Sequence, residues 1–334
     1  MMSDYRIGQL LALGTAVCWT LSSISFEIAS RRAGSLPVNF VRLSLAFIGL
    51  GLIGFFDQRH LFWPTDASPL AWKWLLLSGV IGFFVGDLAL FRAFVEIGAR
   101  LCSLLMALAP PIAALTAVFL LPDEHMTARS WLGMAVTLAG IVWVISERVE
   151  QNDSSKHVRR ATILGVTLGV IGAAGQGVGA VIAKLGANSF NNAFAATQIR
   201  ALAGIVGFFL LILVTRDLRR VWLSIRDWRA LLALTVGAIL GPLLGVSMLL
   251  KSMSKPMGVL PGEASTLAAL VPVFILPVLI VRGKEHVTWR AALGAIVAVL
   301  GVAILMWKTE QPQSHDLAGR KIDRVTFNAG APLK

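Results

Sequence analysis

The sequence predicts an all-α polytopic membrane protein, with ten transmembrane helices arranged as two inverted five-helix repeats. Three observations lead to this fold class: an apolar composition, ten apolar stretches of helical length, and an internal duplication. Of the 334 residues, 56% are hydrophobic and only 14% are charged, and the mean hydropathy is +0.76. One water-soluble core cannot bury so much apolar surface, so we expect the chain to lie in a lipid bilayer.

The ten apolar stretches are separated by polar turns, and each is about 17 to 25 residues long, enough for a helix to cross a bilayer. The first stretch holds a single acidic residue, Glu27, and is too long for the apolar part of a secretory signal. Small residues recur at four-residue steps without a two-residue alternation, which favours helices over a β-barrel. Numbered as spans 1 to 10, the stretches are residues 7–29, 38–56, 72–95, 101–121, 128–146, 161–184, 194–215, 230–251, 259–281 and 289–307.

One polar turn and the apolar run after it occur twice in the chain. Residues 124–141 read EHMTARSWLGMAVTLAGI and residues 285–302 read EHVTWRAALGAIVAVLGV, with 8 of 18 positions identical. Both copies join the fourth and fifth spans of their half, which indicates a duplication. Because five is an odd number, the second half must enter the membrane in the opposite sense. Inverted repeats with a binding site between them near the midplane are typical of secondary transporters.

The duplication predicts the domain organisation. The first repeat comprises residues 7–146 and the second comprises residues 161–307. The polar stretch ERVEQNDSSKHVRR, residues 147–160, is predicted to be the loop between them. Residues 308–334 are polar and aperiodic, and we expect a mobile tail there.

Several classes of function lack their motifs in this chain. No G-x-x-x-x-G-K-[ST] loop occurs, so ATP hydrolysis is not expected. Cys18 and Cys102 lie inside apolar stretches, which suggests neither a disulfide framework nor a thiolate metal site. The net charge of +12 comes mostly from residues at the ends of spans, where it sets membrane topology rather than nucleic-acid binding. We therefore expect no cofactor, no metal ion and no nucleic-acid partner.

The repeat motif resembles the EamA-type branch of the drug/metabolite transporter superfamily. Each half carries an acid-x-x-Thr turn followed by a Leu-Gly helix, a preceding segment that ends in proline, and, in the first half, a Pro-then-Arg entry to span 2. The residues concerned are Glu124, Thr127, Leu132, Gly133, Gly140, Glu285, Thr288, Leu293, Gly294, Gly301, Pro110, Pro272, Pro37 and Arg42. The resemblance covers residues 7–307. It implies a multi-pass permease of the plasma (inner) membrane, similar to exporters of amino acids, drugs, purines and sugars.

The chain departs from this family pattern at one position. The first span of such proteins often ends in a lysine, whereas this sequence has Glu27 there and has a lysine, Lys184, only at the matching point of the second half. Two interpretations of these oppositely charged residues stay open: placement at the membrane surface, or an ion pair or gate that they form across the centre of the molecule.

Asp87 is the clearest candidate for a functional residue, because an ionisable side chain inside hydrocarbon is costly. It lies roughly 15 residues into span 3, too far from either end for its short side chain to reach water. It is either a protonation or substrate-amine site that faces a central cavity, or a structural ion pair or helix cap. Arg92 lies about 140° further round the helix. It is either a ligand for a substrate carboxylate or a side chain that extends to the membrane surface.

Other candidates occupy equivalent positions of the two halves or a helix end. Trp19 and Gln176 lie at the midpoints of spans 1 and 6 and would suit the wall of a cavity. Glu263 begins span 9, where it either caps a broken helix or takes part in transport. Arg42 and Arg200 begin spans 2 and 7, and are predicted to anchor those spans at the membrane surface.

We expect a secondary transporter that exports small amphipathic metabolites or drugs by alternating access, and proton exchange at Asp87 is a further hypothesis. Two alternatives stay open: an uncoupled facilitator of the same solutes, and an intramembrane enzyme or lipid-modifying protein. The second alternative requires a nucleophile–base pair or metal ligands at one depth, and the sequence shows neither. Lys and Arg distribution favours both termini outside, whereas the resemblance implies both inside.

Overall fold

The protein is a bundle of helices that crosses the membrane repeatedly. The structure is a computed structural model that describes residues 3–57, 62–152, 163–190, 192–281 and 288–307. Within these ranges all regular secondary structure is helical, and ten helical stretches are long and apolar enough to span a bilayer. The predicted fold class is thus confirmed. Glu285 and His286, the loop from residue 153 onward and the tail at 308–334 lie outside the described residues.

The first repeat contains spans 1 to 5. Spans 1 and 2 are joined at Gly34, whose φ of 83° is a value that glycine adopts without strain. The sixth helix continues into the stretch predicted to be the inter-repeat loop. The helices are α1 (Asp4–Ala33), α2 (Ser35–Asp57), α3 (Pro69–Ser78), α4 (Asp87–Met106), α5 (Ala109–Leu120) and α6 (Ala128–Asn152), and the π-helical segment Gly79–Gly86 joins α3 to α4.

Helix α4 reverses the direction of the chain. Cys102 Sγ lies 3.7 Å from the carbonyl oxygen of Leu90, whereas twelve residues of straight helix would separate them by about 18 Å. Span 3 therefore ends and span 4 begins within α4, and α5 completes span 4.

The second repeat contains spans 6 to 10. Its third span, span 8, also contains a π-helical segment, Ile239–Val246, between α10 and α11. The helices are α7 (Ile163–Asn188), α8 (Ala193–Thr215), α9 (Leu218–Arg226), α10 (Trp228–Ala238), α11 (Ser247–Met253), α12 (Pro261–Ala268), α13 (Val271–Val281) and α14 (Trp289–Met306).

The threonines of the duplicated motif begin the fifth span of each repeat. Thr127 Oγ1 accepts the backbone N–H of Ser130 at 3.2 Å, and Thr288 Oγ1 accepts that of Ala291 at 3.1 Å. Each threonine thus satisfies a backbone donor that the first turn of a helix leaves without an intrahelical partner. This local role explains why the motif places Thr directly before α6 and before α14.

The spans of one repeat pack reciprocally against those of the other. Span 1 contacts span 8 and span 6 contacts span 3, while span 2 contacts span 7 and span 5 contacts span 10. The contact between α6 and α14 is close, because a Cβ added to Gly140 would lie 2.3 Å from the backbone nitrogen of Ala298. Glycine allows such an approach between membrane helices. Large apolar side chains such as Phe119, 82% exposed, cover the outer surface, as suits contact with lipid.

Candidate functional site

A cavity of about 370 Å³ lies inside the bundle and is lined by both repeats. Most of its wall is apolar, and its charged lining residues are Arg42, Asp87 and Arg200. Its uncharged polar lining comprises Ser22, Ser23, Ser103, Gln176 and Ser265. A largely apolar cavity with a few polar groups is the usual form of a small-molecule site.

Asp87 lies in the wall of this cavity, at the start of α4 and directly after a π-helical segment. It is 5% exposed, and its carboxylate forms an ion pair with the guanidinium of Arg42. The Nε2 of Gln176 donates to Asp87 Oδ1 at 2.9 Å and lies 3.5 Å from the carbonyl oxygen of Gly82. Asp87 therefore combines two of the arrangements that the sequence left open, because it faces the cavity and is also ion-paired.

The prediction that Arg42 and Arg200 anchor their spans at the membrane surface is wrong. Each lies seven residues, about 10 Å, inside its helix, α2 or α8, which is too deep for a surface anchor. Arg200 is 6% exposed, and the centre of its guanidinium group lies 4.6 Å from the centroid of the Phe83 ring. The two arginines thus contribute charge to the cavity rather than to the interface with lipid headgroups.

Trp19 and Gln176 both line the cavity, from spans 1 and 6. The indole of Trp19 packs against span 8, where Gly245 leaves room for it. A Cβ added to Gly245 would lie 2.6 Å from the indole Nε1. Equivalent positions of the two repeats therefore present an aromatic group and an amide to the same space. Their roles in transport stay predictions.

Arg92 and Glu27 lie outside the cavity wall. The Arg92 side chain is 62% exposed and its Nη2 lies 2.9 Å from Oε1 of Glu96, one helical turn away. This placement agrees with the interpretation of Arg92 as a side chain that extends to the surface. Glu27 is exposed near the end of α1.

Lys184 does not pair with Glu27, so that alternative is wrong, whereas its placement near the membrane surface stays a prediction. Lys184 is 1% exposed, and its ammonium donates to the carboxylate of Glu124 and to the carbonyl oxygen of Val259, the latter at 3.3 Å. The physical reason is the inversion of the repeats. Helices α1 and α7 begin on opposite faces of the membrane, so equivalent positions near their ends are far apart.

Glu263 is fully buried in the first turn of α12. Its carboxylate accepts the hydroxyl of Tyr5, and no side chain caps the N-terminus of α12, so the predicted capping role is wrong. Tyr5, Glu124, Lys184 and Glu263 form one group, called here the N-terminal face cluster, because it lies on the membrane side where α1 begins. Its members come from α1, the α5–α6 turn, α7 and α12.

Sequence reasoning missed Tyr5 and Glu124 as site residues, although each carried a signal. Tyr5 is the only tyrosine of the chain, and Glu124 is the acid of the duplicated motif. Among the described residues, no group of three or more His, Cys, Asp or Glu side chains is placed to hold a metal ion. The expectation that the protein needs no metal or cofactor stays a prediction.

Comparison with known proteins gives three findings. The model of the EamA-like transporter family matches residues 6–146 and 163–307. The chain is 28% identical over 144 residues to a protein described as the uncharacterized inner membrane transporter YhbE, from Escherichia coli K12 and from Shigella flexneri. That match spans 42% of this chain and 44% of each relative, less than half of their length. One protein of known crystal structure shares the fold, with a TM-score of 0.64 and 16% identity over 89% of this chain and 96% of that one.

Proposed function

Because the chain belongs to the EamA-like transporter family, we propose that it is a secondary transporter that moves small amphipathic metabolites, such as amino acids or related compounds, or drugs, by alternating access. The observation that carries this proposal is the cavity of about 370 Å³ between the inverted repeats, with apolar walls and a few buried charges. Membership of a transporter family also supports the prediction that the chain is not an enzyme.

The N-terminal face cluster supports the alternating-access mechanism. It joins helices of both repeats through Lys184 with Glu124 and through Tyr5 with Glu263. Around it the packing is tight, because a Cβ added to Gly8 would lie 2.6 Å from Val259 Cγ2. Opening a path to this face requires these contacts to separate. We propose that the cluster is a gate and that it is closed in this conformation.

Direction and location are further parts of the proposal. The description of YhbE as an inner membrane transporter supports a place in the plasma (inner) membrane for this multi-pass protein. The resemblance to exporters supports outward transport.

Two candidate modes of energy coupling remain, and they differ in the role of Asp87. In the first, Asp87 exchanges a proton during transport, which requires its ion pair with Arg42 to open. In the second, the protein is an uncoupled facilitator. The second mode is favoured by the same ion pair, since Arg42 already compensates the negative charge of Asp87.

Counterflow in proteoliposomes tests the proposed function. Vesicles that are loaded with an unlabelled solute should accumulate the labelled solute transiently and saturably. The solute panel comprises amino acids, purines, lipophilic cations and organic acids, each with and without a pH gradient. Protein-free vesicles give the background. If no solute of the panel exceeds that background, the transporter proposal is wrong.

The coupling mode is tested with the paired variant Arg42→Gln/Asp87→Asn, which removes both charges of the ion pair together. Proton coupling predicts that the pH gradient drives transport in the wild type but not in the paired variant. A facilitator predicts no response to the gradient in either protein. Asp4→Asn is the matched control, because Asp4 is exposed at the start of α1 and should leave the gradient response unchanged.

A further inference from the structure

We infer that the transported solute is a small organic anion, and that Arg200 binds its anionic group, most simply a carboxylate. The inference rests on the proposed function and adds to it the chemical class of the solute and the residue that recognises it. Three features of the cavity lead to it: its net charge, the lack of an ion pair at Arg200 among the described residues, and the difference between the two repeats at this depth.

The charged side chains that line the cavity do not balance. Arg42 and Arg200 contribute two positive charges and Asp87 contributes one negative charge, which leaves one positive charge in excess. Inside a membrane protein such a charge is poorly screened by water, so it acts strongly on any solute in the cavity. A cation would add to the excess, whereas a solute with one negative charge would neutralise it.

The excess charge is located at Arg200. Of the residues that the structure describes, no carboxylate lies within ion-pair distance of this guanidinium, and its Nε is buried without a hydrogen-bond partner. The guanidinium lies over the face of the Phe83 ring, and Asp87 acts on it only at longer range, since the carboxylate of Asp87 is already paired with Arg42. A buried charge without a partner is costly unless something compensates it. The planar guanidinium is well suited to hold a carboxylate through two parallel hydrogen bonds.

Comparison of the repeats shows why Arg200 lacks a partner. Gly82 and Gly86 of span 3 match Gly241 and Gly245 of span 8, each pair being 159 residues apart. The position equivalent to Asp87 is therefore Val246, which also lines the cavity. The duplication has kept an arginine in each repeat but an acid in only one of them. The solute would supply the missing carboxylate.

The rest of the wall indicates an organic anion rather than an inorganic one. Trp19, Phe26 and Leu250 line the same cavity and offer apolar surface, with the Phe26 ring centroid 5.3 Å from the guanidinium carbon of Arg42. A small hydrated ion such as phosphate would leave this surface without contacts. An acid with an apolar body would fill both parts of the site.

The test compares three probes with the same apolar body and different charge: 3-phenylpropionate, 3-phenylpropionamide and 3-phenylpropylamine. Binding is measured as the ligand-dependent rise in Tm of the purified full-length protein in detergent, which needs no transport. We expect the wild type to prefer the acid. Arg200→Gln should weaken binding of the acid on the order of tenfold to a hundredfold, the range for a charge-assisted hydrogen bond, and should leave the amide nearly unaffected.

Two further variants separate recognition from a structural role. Arg200→Lys keeps the charge and should retain part of the preference for the acid. Arg219→Gln, at an exposed arginine of α9, should bind like the wild type. Because Asp87 keeps its ion pair with Arg42 in this variant, Arg200→Gln should fold, with a Tm without ligand close to that of the wild type.

Several outcomes contradict the inference. They are a wild type that binds the amide or the amine as tightly as the acid or binds none of the three, and an Arg200→Gln protein that does not fold. If phosphate stabilises the protein as strongly as 3-phenylpropionate does, the inference of an organic anion is also wrong. The counterflow panel decides separately whether transport occurs, so a carrier of amines alone would contradict this inference and leave the proposed function standing.

Discussion

Spans 3 and 8 are equivalent in the two repeats, yet they meet their neighbours differently. Both contain a π-helical segment, and each packs against the first span of the other repeat. Span 3 meets span 6 through backbone, since a Cβ added to Gly175 would lie 2.6 Å from the Cα of Gly86. Span 8 meets span 1 through side chains, with Trp19 against Gly245 and Phe26 against Gly237.

The difference shows how a symmetric backbone produces an asymmetric site. On the span 3 side, close backbone packing brings Asp87 within hydrogen-bonding distance of Gln176. On the span 8 side, aromatic rings occupy the equivalent space and face the cavity. π-Helical turns occur often at functional sites. The two sides of the cavity therefore differ in charge, because span 3 contributes the carboxylate of Asp87 whereas the side of span 8 contributes the rings of Trp19 and Phe26. Aromatic surface beside buried charge suits a solute with one charged end and one apolar end.

The largest expected effect comes from the side of span 3. Asp87→Asn leaves two buried guanidinium groups without an acid, and should destabilise the protein by about 3–5 kcal/mol. Arg42→Gln should cost less, because Arg200 lines the same cavity and can compensate Asp87. The double variant Arg42→Gln/Asp87→Asn should be more stable than Asp87→Asn alone. The measurement is Tm of each variant in the same detergent.

If Arg42 and Asp87 form an ion pair, Asp87→Asn should be the least stable of these variants. Asp4→Asn, at an exposed acid, should match the wild type. A double variant that is no more stable than Asp87→Asn alone would show that the pairing of Arg42 with Asp87 does not hold the two spans together.

A smaller loss of stability is expected from variants that compare the contact of span 3 with span 6 and the contact of span 8 with span 1. Gly175→Ala places a methyl group against the backbone of span 3, which cannot move locally, and should cost about 1–3 kcal/mol. Gly237→Ala meets the ring of Phe26, a side chain that can rotate, rather than a backbone atom. Its cost should be lower, since alanine also favours the helix. Equal losses of Tm in the two variants would remove the proposed distinction between the contacts.

The smallest effect concerns the aromatic rings on the side of span 8. Trp19→Leu should weaken binding of the phenyl-bearing acid by about threefold to tenfold, the usual worth of an aromatic contact. The preference for the acid over the amide should not change, because Arg200 is untouched. The ligand-dependent rise in Tm measures both quantities. A changed charge preference would show that Trp19 acts on the charged end of the solute.

The sequence was sufficient to predict the number of spans and the inverted duplication. Span length and the repeated Glu-His-x-Thr turn are local properties, and the bilayer leaves few alternatives for apolar stretches of that length. The boundary between spans 3 and 4 was also predicted, between residues 95 and 101. The sequence did not show that one helix, α4, continues through this boundary, and the contact between Cys102 and Leu90 shows that the chain reverses within that helix.

The site was only partly predictable because its contacts are between spans far apart in the sequence. Asp87 could be predicted as a site residue because it lies deep within its span, far from either end. Arg42 and Arg200 were assigned to the surface from their nearness to span ends, although the packing of span 2 against span 7 turns both toward the cavity. The partner of Lys184 is 60 residues away, in a turn of the other repeat. Neither periodicity nor composition carries that information.

The excess charge of the empty cavity has an electrical consequence. A unit charge that crosses a membrane potential gains or loses about 2.3 kcal/mol per 100 mV. A carrier holding a monovalent anion next to Arg200 has a neutral site, whereas the empty carrier has a positive one. The membrane voltage would therefore act mainly on the step in which the empty carrier returns. The size of that effect depends on how much of the membrane's electric field the charged site crosses. Exchange of one solute for another would be insensitive to voltage, while net flux would depend on it.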